Sequence, residues 1–146
     1  MVVFRSEMPL LVSDGSGNRM VRKAGTNAAD LVADAMRRGM DADICMINGG
    51  AIRTDISAGD VRYKDIIDML PFEDYVWRIE VPGRLILDVL EDGVAGLPGE
   101  SGNFVQVSGM RYAVTNRHVT DVQVMQRDGT YAPLDAGAVY SAAVLD

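Results

Sequence analysis

The feature that most constrains the fold is a short apolar run that ends in two glycines. The run extends from Ile44 to Ile47 and lies between Asp43 and the sequence Asn48-Gly49-Gly50. Four apolar residues are too few for a helix, and the absence of polar alternation is typical of a strand buried within a sheet. The run therefore predicts a buried strand that ends in a glycine turn.

Three further segments have the apolar periodicity of amphipathic helices. They cover residues 27–38, 63–70 and 84–94. Thr26 or Asn27 is expected to cap the first helix at its start, and Gly39 at its end. Strand-like runs cover residues 2–4, 75–81, 104–115, 119–125 and 139–145.

The order of these elements predicts the fold class. Helices come early and strands dominate later, which favours an α+β fold, a mixed β-sheet with packed helices, over a regular doubly wound sheet. The chain has 146 residues, a length typical of one domain, so residues 1–146 are expected to form a single unit.

Composition excludes several classes of function. The chain carries 14 Lys and Arg against 21 Asp and Glu, a net charge of −7, which disfavours binding to a nucleic acid polymer. No apolar stretch approaches the roughly 18 residues of a membrane span, so no membrane insertion is expected. Cys45 and His118 are the only residues of their types, so neither a metal site nor a catalytic residue is predicted in this chain.

Three positions are candidates for ligand binding. Glycines in the segment 48–53 would let backbone N–H groups approach a ligand closely, with Arg53 at the end of the segment. Arg22 precedes the first helix and would suit an anion, and Phe72 follows a proline and could stack on a planar base. Taken singly, these residues are more typical of a surface turn, a solvated basic patch and an ordinary core side chain.

The ordered set of motifs is more specific than any one of them. It consists of Arg22, Thr26-Asn27, and residues 33–36, 48–53, 59–61, 70–72 and 102–109. In this order and spacing, the set resembles the C-terminal domain of the 5'-nucleotidase family over essentially the whole chain. The family pairs this substrate-binding domain with an N-terminal, calcineurin-like dimetal phosphoesterase domain.

The resemblance implies a role for individual residues. Arg22 and Arg53 match arginines that grip the phosphate or ribose region of the substrate, and Asn48 matches a polar contact. Phe72 matches one of two aromatic residues that sandwich the nucleobase.

Three more positions complete the site that the resemblance implies. Asp74 stands where many relatives have Asn beside the base, and Gly102 matches a glycine whose backbone faces the base. Gly50, in the glycine turn, is also expected to contact substrate. Departures from the family pattern are Ala51 in place of a frequent third glycine and Asn18 in place of an arginine four positions before Arg22.

The resemblance also implies a setting. Hydrolysis of nucleoside phosphates or related esters would be carried by an absent N-terminal domain with a divalent metal pair, and this chain would need no cofactor and be inactive alone. The second stacking aromatic would lie beyond Asp146, so the chain is expected to be part of a longer protein. Its expected location is the periplasm or the cell exterior. The alternative is a stand-alone, non-catalytic module that binds nucleotides or a surface partner.

Overall fold

The computed structural model describes residues 1–146 and contains three sheets and three α-helices. The strands are β1 (Val2–Ser6), β2 (Ile44–Asn48), β3 (Gly59–Arg62), β4 (Val76–Pro82), β5 (Val105–Ser108), β6 (Met110–Thr115), β7 (His118–Met125), β8 (Tyr131–Pro133) and β9 (Val139–Leu145). The helices are α1 (Asn27–Gly39), α2 (Tyr63–Met69) and α3 (Gly83–Val94). The chain also contains two short 3₁₀ turns, Met20–Arg22 and Gly49–Ala51.

The central sheet has four strands in the order β4-β9-β2-β5. Strand β2 runs parallel to β9, whereas the β2–β5 and β4–β9 pairs are antiparallel. Strands β1 and β3 form a small antiparallel pair, and β6, β7 and β8 form an antiparallel sheet of three. The mixed central sheet with packed helices confirms the predicted α+β class.

Strand β2 is buried on both faces, as its continuous apolar run predicts. Cys45 and Ile47 belong to one core cluster, whereas Ile44 and Met46 belong to another on the opposite face. The first cluster includes the small side chains of α1, and the second includes Ile86 and Leu90 of α3. Each fully buried isoleucine contributes about 1.5–3 kcal/mol, so the run holds the two helical layers together.

The structure corrects the expected strand over residues 104–115. Gly109, with φ of +72°, separates β5 from β6, and the two strands belong to different sheets. A Cβ at Gly109 would lie 2.3 Å from the carbonyl oxygen of Asp43, so only glycine fits the break. Strands β3 and β8 were not expected, because runs of four and three residues carry too little periodicity.

Of the two caps predicted for α1, the one at its start is confirmed and the one at its end is wrong. The Thr26 hydroxyl oxygen accepts a hydrogen bond from the backbone N–H of Ala29, which satisfies one free donor of the first turn. Gly39, however, is the last helical residue rather than the cap. Met40 follows it with helical dihedrals, and Asp41 is the residue with positive φ, at +49°.

No helix in the structure combines the length and apolar composition needed to span a bilayer.

The turn after β2 packs on the backbone of the Met20–Arg22 turn. A Cβ placed on Gly49 would lie 2.0 Å from the carbonyl oxygen of Val21, far inside van der Waals contact. Both partners are backbone atoms, so neither can move aside as a flexible side chain would. The absence of a side chain at Gly49 therefore brings the two turns together.

We expect Gly49→Ala to destabilise the protein by about 3 kcal/mol or more, since the new methyl group overlaps a backbone carbonyl. Urea denaturation followed by circular dichroism would measure the change. Gly39→Ala is the matched control, because a Cβ there meets nothing within 4 Å and the change should stay within about 1 kcal/mol. Equal stability of the two variants would contradict the close approach at Gly49.

Candidate functional site

Arg22 lies on a 3₁₀ turn that β5 holds in place. The buried side-chain amide of Gln106 donates to the carbonyl oxygens of Val21 at 2.9 Å and Ala24 at 2.6 Å. Val21 is itself buried, and its N–H donates to Val12 at 3.0 Å. These contacts fix the backbone from which the Arg22 side chain projects.

The glycine turn and the loop before β5 close against this segment. The Gly49 N–H donates to the carbonyl oxygen of Phe104 at 2.7 Å, and the Gly50 N–H donates to that of Gly102 at 3.1 Å. The Ser101 N–H donates to the carbonyl oxygen of Arg22 at 2.9 Å. Three chain segments that are distant in sequence therefore meet at one point.

The expectation that the glycine N–H groups face a ligand is not met. Both of these donors already have carbonyl partners within the protein, in the loop that contains Gly102. The glycines instead allow the two segments to pack closely, since a Cβ on Gly50 would lie 3.1 Å from the Gly102 Cα. Gly102 also adjoins Arg22, whose Nη1 lies 3.6 Å from the position of a Cβ on Gly102.

Arg53 extends from the far end of the glycine turn towards Phe72. Its backbone N–H donates to the carbonyl oxygen of Met69, the last residue of α2, at 2.8 Å, and its Nη1 donates to that of Gly50 at 3.2 Å. The guanidinium carbon lies 5.8 Å from the centre of the Phe72 ring, within the range of a cation–π contact. Phe72 is 52% exposed, so its ring is accessible and is not an ordinary core residue.

Arg22 and Arg53 have no acidic partner. The ion pairs of the structure involve other cations: Arg5, Arg19, Lys64 and His118. Partial burial, followed by the neighbouring Arg19 and Arg53 cations, lowers the pKa of the Arg22 guanidinium. Two guanidinium cations that act on each other in this way favour an anion between them.

Phe72 and Asp74 border an apolar cavity of about 290 Å³, shared with Tyr63, Ile67 and Leu145. The Asp74 side chain is exposed and makes no hydrogen bond within the protein. A carboxylate can only accept hydrogen bonds, so a ligand group that meets Asp74 would be a donor.

Asn48 borders a different cavity from Phe72. This cavity has a volume of about 580 Å³ and is also lined by Asn103, by Asp88 and Asp92 of α3, and by several aliphatic side chains. The Asn48 Nδ2 atom lies 3.4 Å from the position of a Cβ on Gly50, so Asn48 adjoins the glycine turn on the side of this second cavity. The structure thus gathers Arg22, Gly50, Arg53, Phe72 and Gly102, with Asp74 and Asn48 at the margins.

Two features of the site were not found from the sequence. Gln106 anchors the Arg22 turn, and its one signal is a polar side chain within the apolar run 104–107. Glu100 pairs with Arg19 beside the site, with its Oε2 2.8 Å from the arginine Nε. A contact across 81 positions has no local sequence signal.

The groups that could support catalysis lie elsewhere or are unsuited to it. Burial raises the pKa of the Cys45 thiol to about 12, so at neutral pH the nucleophilic thiolate does not form. His118 is exposed, and Glu91 is its neighbour at 3.4 Å. No three His, Cys, Asp or Glu side chains lie close enough together to hold a metal ion, so this chain's residues do not fit a metal pair.

Comparison with known proteins shows the family to which the chain belongs. The family model described as "5'-nucleotidase, C-terminal domain" matches residues 6–146. The chain belongs to this family. A 5'-nucleotidase of Vibrio parahaemolyticus is 31% identical over 136 residues, which cover 87% of this chain and 24% of that protein. The NAD 5'-nucleotidase of Haemophilus influenzae is 29% identical over 95% of this chain and 25% of its own length.

A solved structure of a 5'-nucleotidase precursor from Thermus thermophilus has the same fold as this 5'-nucleotidase C-terminal domain. The TM-score is 0.88 at 31% identity, and the match covers 99% of this chain and 29% of the other. The chain thus spans about a quarter of the length of the curated relatives it matches.

Proposed function

We propose that this chain is the substrate-binding domain of a 5'-nucleotidase-type phosphoesterase and that it binds a nucleotide at the arginine pair. The observation that carries the proposal is the convergence of two guanidinium groups without an acidic partner beside an exposed aromatic ring. A nucleotide has both complementary parts, a phosphate dianion and a planar base. The names of the relatives support the same class of ligand.

In this proposal each part of the nucleotide has its own partner. Arg22 and Arg53 donate charge-assisted hydrogen bonds to phosphate or ribose oxygens, and planar guanidinium groups suit a phosphate. The Phe72 ring stacks on the base, which is worth about 1–3 kcal/mol. Asp74 accepts a hydrogen bond from an amino or imino group of the base. Gly102 and Gly50 form the wall between these subsites, and Asn48 adds a polar contact at its edge.

We further propose that hydrolysis takes place in an N-terminal phosphoesterase domain that holds a divalent metal pair. This chain matches about a quarter of the length of its relatives, which supports a partner domain of this kind. The contribution of this chain is then to bind the nucleoside part and present the phosphate in a fixed orientation, which lowers the entropic cost of reaction. By resemblance to its family, the whole protein works in the periplasm or outside the cell.

We expect Arg22→Ala and Arg53→Ala each to weaken the binding of AMP about tenfold or more, because each removes a charged donor worth about 1.5–3 kcal/mol. Isothermal titration calorimetry at low ionic strength measures the dissociation constants. Arg127→Ala is the matched control, since this arginine is exposed on a turn and pairs with no acid. An unchanged affinity in both site variants, or the same loss in Arg127→Ala, would contradict the proposed site.

The purified chain is expected to release no phosphate from AMP above a blank, with Mn²⁺, Zn²⁺ or Ca²⁺ added. The physical reason is that it offers neither a cluster of metal ligands nor an ionised nucleophile. A colorimetric phosphate assay, with a preparation of Arg53→Ala as a check for contaminating phosphatase, measures this. Turnover in the unaltered chain that Arg53→Ala abolishes would show that the catalytic groups lie in this chain.

A further inference from the structure

The ion pair between Arg19 and Glu100 lies at the edge of the arginine pair. The Glu100 carboxylate accepts from the Arg19 backbone N–H at 2.7 Å and from its Nε at 2.8 Å. Hydrogen bonds from the backbone and side chain of Arg19 hold the pKa of Glu100 below its usual range, so the carboxylate is charged at neutral pH. The Glu100 side chain is 25% exposed, so this ion pair is partly shielded from solvent.

Arg19 directly precedes the 3₁₀ turn that ends at Arg22, and its positive charge acts on the Arg22 guanidinium. The Arg22 N–H donates to the Arg19 carbonyl oxygen at 3.0 Å, which keeps the two residues close together. The terminal Nη atoms of Arg19 have no hydrogen-bond partner in the protein. Without its carboxylate partner, Arg19 would be a third free guanidinium beside the proposed phosphate subsite.

Glu100 also interacts electrostatically with Arg22. Its negative charge opposes the lowering of the Arg22 pKa that burial and the two other arginines produce. Glu100 therefore lowers by one the positive charge that Arg19, Arg22 and Arg53 present to a ligand, with Lys23 as a further cation close to Glu100. A smaller positive charge at the subsite favours a phosphomonoester over a diphosphate or triphosphate, because the latter carry more negative charge.

We propose that Glu100 is a specificity-determining residue that favours nucleoside monophosphates over nucleoside diphosphates at this subsite, by neutralising Arg19 and leaving Arg22 and Arg53 to bind a single phosphate. The inference rests on the proposed function, because it concerns the charge of the ligand bound at the same arginines. In this role Glu100 affects which nucleotide binds and has no part in the hydrolysis of the bound nucleotide.

The test compares AMP and ADP binding in Glu100→Gln, by calorimetry with EDTA present and magnesium absent. Because ADP carries one more negative charge than AMP, removal of one negative charge beside the subsite is expected to raise the ratio of ADP affinity to AMP affinity about threefold at low ionic strength. The effect should diminish as salt is added, because exposed charges are screened. Glu7→Gln is the matched control: Glu7 is exposed and unpaired, and its replacement should leave the ratio unchanged.

A second pair of variants separates charge from loop structure. Arg19→Gln leaves the Glu100 carboxylate unopposed and should lower the ratio of ADP affinity to AMP affinity about threefold. The double variant Arg19→Gln with Glu100→Gln restores the net charge, so its ratio should return to that of the unaltered chain. Should Glu100→Gln fail to fold, Arg19→Gln tests the same claim in the opposite direction.

The outcomes distinguish this inference from the proposed function. If AMP binds and depends on Arg53, but the ratio of affinities does not change in Glu100→Gln or Arg19→Gln, the role of Glu100 is wrong and the proposed function stands. An equal loss of both ligands in Glu100→Gln also overturns that role, since it shows a purely structural effect. If the unaltered chain binds neither nucleotide, both proposals fail.

Discussion

The site depends on a backbone contact rather than on an attraction between side chains. Gly49 approaches the carbonyl oxygen of Val21 more closely than any residue with a Cβ could, and so joins the end of the central strand to the turn that carries Arg22. The buried amide of Gln106 fixes the same turn from β5. The backbone that carries one of the two guanidinium groups is thereby held by the core of the domain, which is its most rigid part.

This arrangement explains how two like charges can be held together without a ligand. Arg22 and Arg53 repel each other, and neither forms an ion pair with an acid. The repulsion is modest in a partly exposed cleft, where the effective dielectric is high, and the buried strand β2 and its two helical layers outweigh it. Unpaired charge in a fixed geometry is what a binding site for an anion needs before the anion arrives, because no ion pair has to be broken on binding.

Sequence patterns predicted the elements that long periodic runs define. The buried strand β2 and the helices α1 and α3 were placed within one or two residues, because burial on one face or both leaves a clear periodicity. The break at Gly109 was missed, since strand-forming residues flank it on both sides and only the contact with Asp43 requires it. The expected role of the glycine N–H groups was wrong for a similar reason, as their partners lie in a loop some fifty positions away.

The central claim, that Arg22 and Arg53 bind one anion together, is tested most directly by NMR of the arginine side chains. With ¹⁵N-labelled protein, the Nε–H signals of Arg22 and Arg53 should shift during a titration with AMP and follow a single shared binding curve. The signals of Arg84 and Arg127, which lie outside the site, should stay in place. Separate binding curves for the two site arginines, or shifts no larger than those of Arg84 and Arg127, would contradict the claim.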